Sequence, residues 1–442
     1  MPEKQDKAAL KKSLTPLMLW GLGVGYVISG MYFGWNLGLD KGGTLGLAIA
    51  TGFVVLMYLS FTFSYAELAA AIPKAGGAAD YASRALGKEW GFIAGMAQNI
   101  EFIFAPPAIA YAIGAYFNLF YPHVSILSIA ITVYILFTAI NIYGVKAAAV
   151  FELLITILAV AELLIFAGIT LPHFSAENLT HHALPHGWSG IFAAIPFAIW
   201  FFLGIEGVAN VAEETINPQK TITKGFGFAI LTLVLLCALT FLGSIGVAGW
   251  EAIVYKADGS MSDSPLPMAL EKIVGKNNPL YHLLITVGLF GLIASFHGLI
   301  LAAGRSSFEF GRMGFAPAFL GKIHPRFQTP STALLINMCM GIVALLTGKT
   351  AEIITIAVFG ALTLYILSML SIIQLRKKEP KLERPFRVPF YPFTPLLALV
   401  IAIVSLLAMI VYNLLLACIF LSIMLGCFIT FLLSRRTKQN IA

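Results

Sequence analysis

Two apolar segments of this chain are interrupted by glycine at matching places. The first is Tyr26-Val27-Ile28-Ser29-Gly30-Met31-Tyr32-Phe33-Gly34, and the second is Ile199-Trp200-Phe201-Phe202-Leu203-Gly204-Ile205-Glu206-Gly207. Each lies in the middle of a stretch otherwise long and apolar enough to cross a bilayer. Glycine costs a helix about 1 kcal/mol relative to alanine. In lipid an unwound turn also frees N–H and C=O groups that must find partners, so irregular backbone at that depth is confined to cavities and ligand sites. The segments alone leave two readings open. One is close helix packing through small residues; the other is the paired interruption that marks a transporter's midplane binding site.

Composition fixes the solvent in which the chain folds. Of 442 residues, 59% are hydrophobic and 11% charged, against roughly 25% charged in a soluble domain, and the mean hydropathy is +0.88. Runs of about 20 apolar residues predict twelve transmembrane helices, here called spans 1 to 12. They fall near 17–38, 45–71, 90–117, 125–145, 149–171, 190–212, 225–249, 281–305, 331–347, 352–374, 394–412 and 414–433. The first span is too long for a cleavable signal. With a cytoplasmic N-terminus, the outer segments hold only Lys41, Lys256, Lys272, Lys276 and Lys349 of the 28 Lys and Arg residues, leaving 23 inside. That asymmetry predicts cytoplasmic N- and C-termini in a cytoplasmic (inner) membrane. The net charge of +7 therefore reflects topology, and no basic-aromatic patch points to nucleic acid. Cys237, Cys339, Cys418 and Cys427 all fall within predicted spans, without disulfide or metal spacing.

The spans divide into two sets of five and a tail. Five is odd, so the second set starts from the opposite side of the membrane, which makes an inverted repeat. The expected organisation is a cytoplasmic N-terminus 1–16, a first repeat 17–171, a second repeat 190–374, a cytoplasmic loop 375–393, spans 11 and 12 over 394–433, and a cytoplasmic tail 434–442. Both interrupted segments are the first span of their set. Packing glycines alone do not predict that regularity.

The inner loops carry turn and cap motifs. Tyr65-Ala66-Glu67-Leu68 leads into Ile72-Pro73-Lys74-Ala75-Gly76-Gly77-Ala78-Ala79-Asp80-Tyr81, and Glu213-Glu214-Thr215-Ile216-Asn217-Pro218 follows the second interruption. Gly304-Arg305-Ser306, Arg312-Met313-Gly314-Phe315-Ala316-Pro317 and His324-Pro325-Arg326-Phe327-Gln328-Thr329-Pro330 follow span 8. Pro73 is expected to end span 2 and Asn217-Pro218 to stop span 6. In order and wording these motifs resemble the amino acid–polyamine–organocation (APC) transporter superfamily over essentially the whole chain. Within it, Val27-Ile28-Ser29-Gly30-Met31-Tyr32-Phe33-Gly34-Trp35-Asn36 is similar to the ethanolamine permease branch. The resemblance implies an all-α, LeuT-type 5+5 inverted-repeat fold with spans 1 and 6 unwound, two additional C-terminal helices and alternating access. It places the substrate between the interruptions, bracketed by spans 3 and 8.

Where amino acid carriers of that superfamily read Gly-Ser/Thr-Gly, this chain has Ile28-Ser29-Gly30. A β-branched side chain at the first position crowds the approach of a substrate carboxylate to the helix N-terminus, so the expected substrate is a small amine, ethanolamine first. The alternative, an Ile28 that points away from a bound carboxylate, stays open, and with it an amino acid or polyamine substrate. Ile28, Ser29, Gly30, Met31, Tyr32, Trp200, Phe201, Phe202 and Gly204 are the candidate substrate residues, with Trp35 a weaker one. An ammonium over an aromatic face gains about 0.5–2 kcal/mol, and the resemblance makes Trp200 a gate over the substrate.

Intramembrane acids are costly and usually functional. Glu101 in span 3 is the candidate ammonium partner. Glu206, just past the second interruption, Glu162 in span 5 and His297 in span 8 are the candidate proton carriers. Glu67 is expected to be structural. Each has the alternative of a helix–helix hydrogen bond. Span 5 carries no lysine where some proton-coupled relatives have one, so sodium near Ser295 remains an alternative co-substrate to the proton. No cofactor or bound metal is expected, and oligomeric state is left open. The chain has no Gly-x-Ser-x-Gly, His-Glu-x-x-His or phosphate-binding Gly-Lys-Ser/Thr motif, which argues against an enzyme. A non-transporting membrane sensor of amines is the remaining alternative.

Overall fold

Proline, asparagine and threonine set the helix ends. Thr15 accepts a hydrogen bond from the Met18 N–H at 3.3 Å with Pro16 in the first turn, and Asn278 accepts from Leu280 N–H at 2.9 Å ahead of Pro279. Both arrangements use a side-chain oxygen for an orphan amide and a proline where no amide is needed. Asn217, in the left-handed region at φ 47°, starts the helix Pro218–Ala248. The computed structural model describes residue 12, residues 14–143 and residues 148–441. Lys4, Lys7, Lys11 and Lys146, on which part of the expected orientation rests, lie outside the described residues, as does most of the expected segment 1–16.

Among the described residues ten helices are long and apolar enough to cross a membrane, and two shorter apolar helices, Pro16–Tyr32 and Ser331–Leu345, complete the expected twelve spans. Several bounds differ from those expected. Span 1 runs Pro16–Val27 and Ser29–Tyr32, and then loses helical geometry at Phe33. The next helix, Leu37–Ala71, takes in the end of the expected span 1 and all of span 2, with Gly43 (φ 64°, ψ −173°) at the kink between them. Span 7 begins at Pro218 instead of 225, and span 8 continues to Arg312 instead of ending at 305. Their polar end turns are helical but fall outside an apolar window. Short helices Ala78–Ala85 and Pro265–Val274 join spans 2–3 and 7–8.

Burial sorts the spans into inner and outer positions. In the most apolar windows of Lys88–Asn118 (span 3), Gly187–Glu214 (span 6) and Thr350–Lys378 (span 10), 83%, 89% and 83% of residues are buried. For Ile126–Tyr143 (span 4) and Leu414–Ser434 (span 12) the figure is 22%. Spans 3, 6 and 10 therefore form the centre, and spans 4 and 12 present Leu and Ile to lipid.

Glu67 fixes the end of span 2 to this centre. Its carboxylate accepts two hydrogen bonds from Arg376, at 2.8 and 2.6 Å, and one from the Val388 N–H at 2.7 Å. Arg384 lies 3.4 Å away, and the Arg376 guanidinium sits over the Tyr391 ring. The Glu67 side chain is 2% exposed, so the sequence reading of a structural acid agrees with its contacts. Removing one member of a buried pair leaves an uncompensated charge and costs about 3–5 kcal/mol. Glu67→Ala should therefore lower the thermal unfolding midpoint of the purified protein strongly. Arg84→Ala, which breaks the exposed Arg84–Glu379 pair, should change it little. Equal shifts for the two variants would contradict the anchoring role.

Candidate functional site

The first interruption is deeper in the chain than the Ser-Gly pair indicates. Ile28 keeps helical angles (φ −59°, ψ −23°), whereas Phe33 is fully extended (φ −161°, ψ 174°) and Gly34 is left-handed at φ 86°. Three successive carbonyls there accept from aromatic donors. The Trp35 indole N–H donates to Met31 at 3.1 Å, the Tyr116 hydroxyl to Tyr32 at 3.0 Å, and the Trp200 indole N–H to Phe33 at 3.0 Å. The Gly34 N–H donates to the Asn36 side chain, whose amide in turn donates to the Ser262 carbonyl at 2.8 Å. The backbone opened by the interruption is thus satisfied inside the protein, as a lipid environment requires.

The second interruption covers Phe201–Gly204. The helix Ile195–Trp200 ends there, Gly204 takes φ 97°, and the chain continues to Glu214 as a tighter 3₁₀ helix. The two interruptions touch. A Cβ on Gly30 would sit 2.5 Å from the Trp200 carbonyl oxygen and 3.0 Å from Phe201 Cα, so only glycine admits this backbone-to-backbone contact. Ser295 of span 8 ties span 1 in as well, donating to the Tyr26 carbonyl at 2.6 Å and lying 2.8 Å from the Ser29 hydroxyl. The oxygens near Ser295 considered for sodium are engaged in this chain of hydrogen bonds.

Glu101 and Glu206 meet at the second interruption, both with no exposed surface. The Glu101 carboxyl is close enough to that of Glu206 and to the Gly204 peptide to interact with them, and neither Glu101 oxygen has a well-formed hydrogen bond among the described residues. Tyr365 of span 10 donates to Glu206 at 3.0 Å, and the Tyr58 hydroxyl lies 3.0 Å from that of Tyr365. Two ionised carboxylates have no donor between them, so carboxyls brought this close in a buried site favour binding at least one proton. No Lys or Arg forms an ion pair with either acid among the described residues. With one proton between them the pair would carry a single negative charge at the centre of the bundle.

The other candidate residues sort differently. Phe201 stacks on Trp35 with centroids 5.3 Å apart, and Phe202 packs on Tyr58 at 5.2 Å. Ile28 and Met31 are fully buried. The Tyr32 hydroxyl donates to Glu162 at 2.7 Å and to the Ala159 carbonyl. Tyr32 and Glu162 share with Tyr116 and Phe166 a small pocket of about 10 Å³, room for one water at most. Glu162 is thus brought together with Tyr32 and not with Glu101 and Glu206. His297 is also separate, 3.4 Å from Glu152 of span 5. Tyr365, Tyr58 and Glu152 were absent from the sequence reading. Tyrosine hydroxyls inside apolar spans and an acid three residues into a predicted span are the signals that mark them.

The assembly is closed at both ends. Toward the N-terminal end of span 1, Leu14 bonds the backbone of Glu214 and Ile216, each at 3.0 Å, and Arg305 pairs with Glu214 at 2.8 Å. At the other end Tyr255 donates to Asp40, and Asn36 holds Ser262. Burial pushes the neighbouring Asp263 up to about 6, against the opposing effects of Lys256 and Thr350. In the exposed loops His181, His182 and Glu251 bring ligand atoms within 4.8 Å of one another, apart from this site.

Trp200 is the side chain that joins the two interruptions, 2% exposed and edge-on to Phe33 at 5.4 Å. Trp200→Ala should weaken apparent substrate affinity about tenfold or more, or about 1.4 kcal/mol. Trp200→Phe keeps an aromatic face but not the hydrogen bond to Phe33, and should fall between. Equilibrium binding to the purified variants measures this, and unchanged affinity in folded Trp200→Ala would reduce the residue to packing.

Comparison with known proteins agrees with this architecture. The family described as "Amino acid permease" matches residues 14–421. "Uncharacterized transporter R00093" of Rhizobium meliloti is 28% identical over 410 residues, 90% of this chain and 86% of that protein. "Branched-chain amino acid permease BcaP" of Bacillus subtilis is 27% identical over 416 residues, 88% and 86% of the two chains. "Low-affinity putrescine importer PlaP" of Escherichia coli is 26% identical over 406 residues, 88% and 87%.

Proposed function

The chain belongs to the amino acid permease family of the APC superfamily, and from that membership we propose that this transporter imports a small amine, ethanolamine first, by alternating access. The observation that carries the reading is the Glu101–Glu206 carboxyl pair at the second interruption. A pair sharing one proton is an anionic site in a water-excluded centre, where charge interactions are far stronger than in water. An ammonium neutralises it; a zwitterionic amino acid brings a carboxylate that needs a separate donor site, which Ile28 crowds. The names of the relatives, covering branched-chain amino acids and putrescine, keep an amino acid or a polyamine as the second substrate reading.

In this proposal the inward proton gradient drives uptake. Glu206 holds the shared proton on the oxygen that does not accept from Tyr365, and Glu101 stays charged to face the substrate. Proton and amine together make a neutral centre that can be occluded; either one alone leaves an uncompensated charge. The protein sits in the cytoplasmic membrane with both termini on the cytoplasmic side.

One proteoliposome experiment tests the whole reading. Labelled ethanolamine, choline, putrescine and neutral and cationic amino acids are offered under imposed proton or sodium gradients. Ethanolamine should be accumulated best, and an inward proton gradient should drive it. Glu206→Gln, an uncharged mimic of the protonated acid, should still bind amine while losing the response of uptake to pH. Glu101→Gln should lose binding. Preference for a neutral amino acid would overturn the substrate, sodium drive would overturn the coupling ion, and swapped phenotypes would overturn the division between the two acids.

A further inference from the structure

A second buried acid lies away from the carboxyl pair, and it faces a base. Glu152 of span 5 and His297 of span 8 are 2% and 6% exposed at their side chains, with Nδ1 and Oε2 3.4 Å apart. They come from opposite halves of the chain, 145 positions apart (297 − 152), and span 1 closes over them. A Cβ on Gly25 would lie 2.6 Å from Glu152 Oε1 and 2.8 Å from Thr156 Oγ1, and one on Gly298 would lie 3.3 Å from Glu152 Oε1. The Thr156 hydroxyl donates to the Gly21 carbonyl at 3.2 Å. The two glycines let the backbone of spans 1 and 8 rest directly on the carboxylate.

The surroundings are otherwise nearly uncharged. Span 1 contributes Tyr26, which packs against Gly298 and is acted on electrostatically by Glu152. Span 4 faces the imidazole with the Phe137 ring at 6.1 Å. Further along span 8, Arg305 is neutralised by Glu214 of the span 6 segment. Among the described residues His297 is the ionisable group that acts on the Glu152 carboxyl.

We infer that Glu152 and His297 form a proton-binding site that latches the N-terminal half of span 1 against spans 5 and 8. With one proton bound, the pair is neutral overall, as imidazolium and carboxylate or as imidazole and carboxylic acid. The closed packing on Gly25 and Gly298 then buries no net charge. When the proton leaves to water, a lone carboxylate remains beside neutral imidazole, and a buried charge without a partner strongly disfavours the closed packing. Span 1 then moves off and admits water to the carboxylate. The site rests on the transporter reading, but not on the identity of the substrate or on the role of Glu206.

The test reads the position of span 1 without any substrate. In a protein with Cys237, Cys339, Cys418 and Cys427 replaced by serine, Leu19→Cys puts a thiol on span 1, at a position with no exposed surface that packs on Gly225. Its labelling by a membrane-impermeant maleimide is followed from about pH 5 to about pH 8. Rates are corrected for thiolate content with an exposed-cysteine control on the same face. Labelling should rise severalfold with pH in the parent. In Glu152→Gln, which keeps the shape and removes the charge, it should stay slow and flat. His297→Gln leaves a lone carboxyl that still takes up and loses a proton, so it should move the pH range of the rise without abolishing it, and that displacement decides the matter if Glu152→Gln does not fold. A parent that labels independently of pH, a response that survives in Glu152→Gln, or one that is unmoved in His297→Gln overturns the latch. A failed substrate assignment leaves these outcomes unchanged.

Discussion

Everything in this molecule follows from the need to satisfy backbone groups where two spans stop being helical inside a bilayer. An exposed N–H or C=O in hydrocarbon costs several kcal/mol, so an interruption survives only if the rest of the protein supplies its partners. Here Trp35, Tyr116 and Trp200 donate to the carbonyls of residues 31, 32 and 33 in turn, and Ser295 donates to Tyr26. These donors come from three different helices and from the turn at Trp35 itself. The fold is therefore specified by the same contacts that hold the site, and moving any one span disturbs the bonds of the others.

The acids are distributed so that each buried charge has its own answer. Glu67 is met by two arginines and a backbone amide, and serves as an anchor. Glu162 is met by a tyrosine. Glu152 is met by a histidine. Glu101 and Glu206 are met chiefly by each other. This last pair has no ion-pair partner among the described residues, which is why the proposed function gives it to the substrate ammonium. Occlusion strengthens the effect: Trp200 and the Asn36–Ser262 contact exclude water from one side, and the Leu14–Glu214 contact and Arg305 from the other.

Span number, the two interrupted segments and the candidate acids at 101 and 206 were legible in the sequence, because hydropathy and glycine act locally. The exact course of the first interruption was not. Phe33 is extended because a tryptophan 167 positions away donates to its carbonyl, and no local preference of Ile28-Ser29-Gly30 encodes that. Glu152 and His297 were separated for the same reason: the pairing exists only once the two halves are packed together. Phe201 and Phe202 read as site residues by proximity to Trp200; in the structure the Phe201 ring stacks on Trp35 and the Phe202 ring packs on Tyr58. Neighbours in sequence diverge once a helix unwinds, since the residues then leave a common face.

The central claim is that the carboxyl pair at the second interruption holds one proton beside a bound amine. Infrared difference spectroscopy of the purified protein, with ethanolamine minus without, reads it directly through the C=O stretch of a buried carboxylic acid. The account predicts such a band at neutral pH, perturbed by the amine, sensitive to deuterium exchange and missing in Glu206→Gln. A difference spectrum without any protonated-carboxyl band, or one whose band persists unchanged in Glu206→Gln, would contradict it.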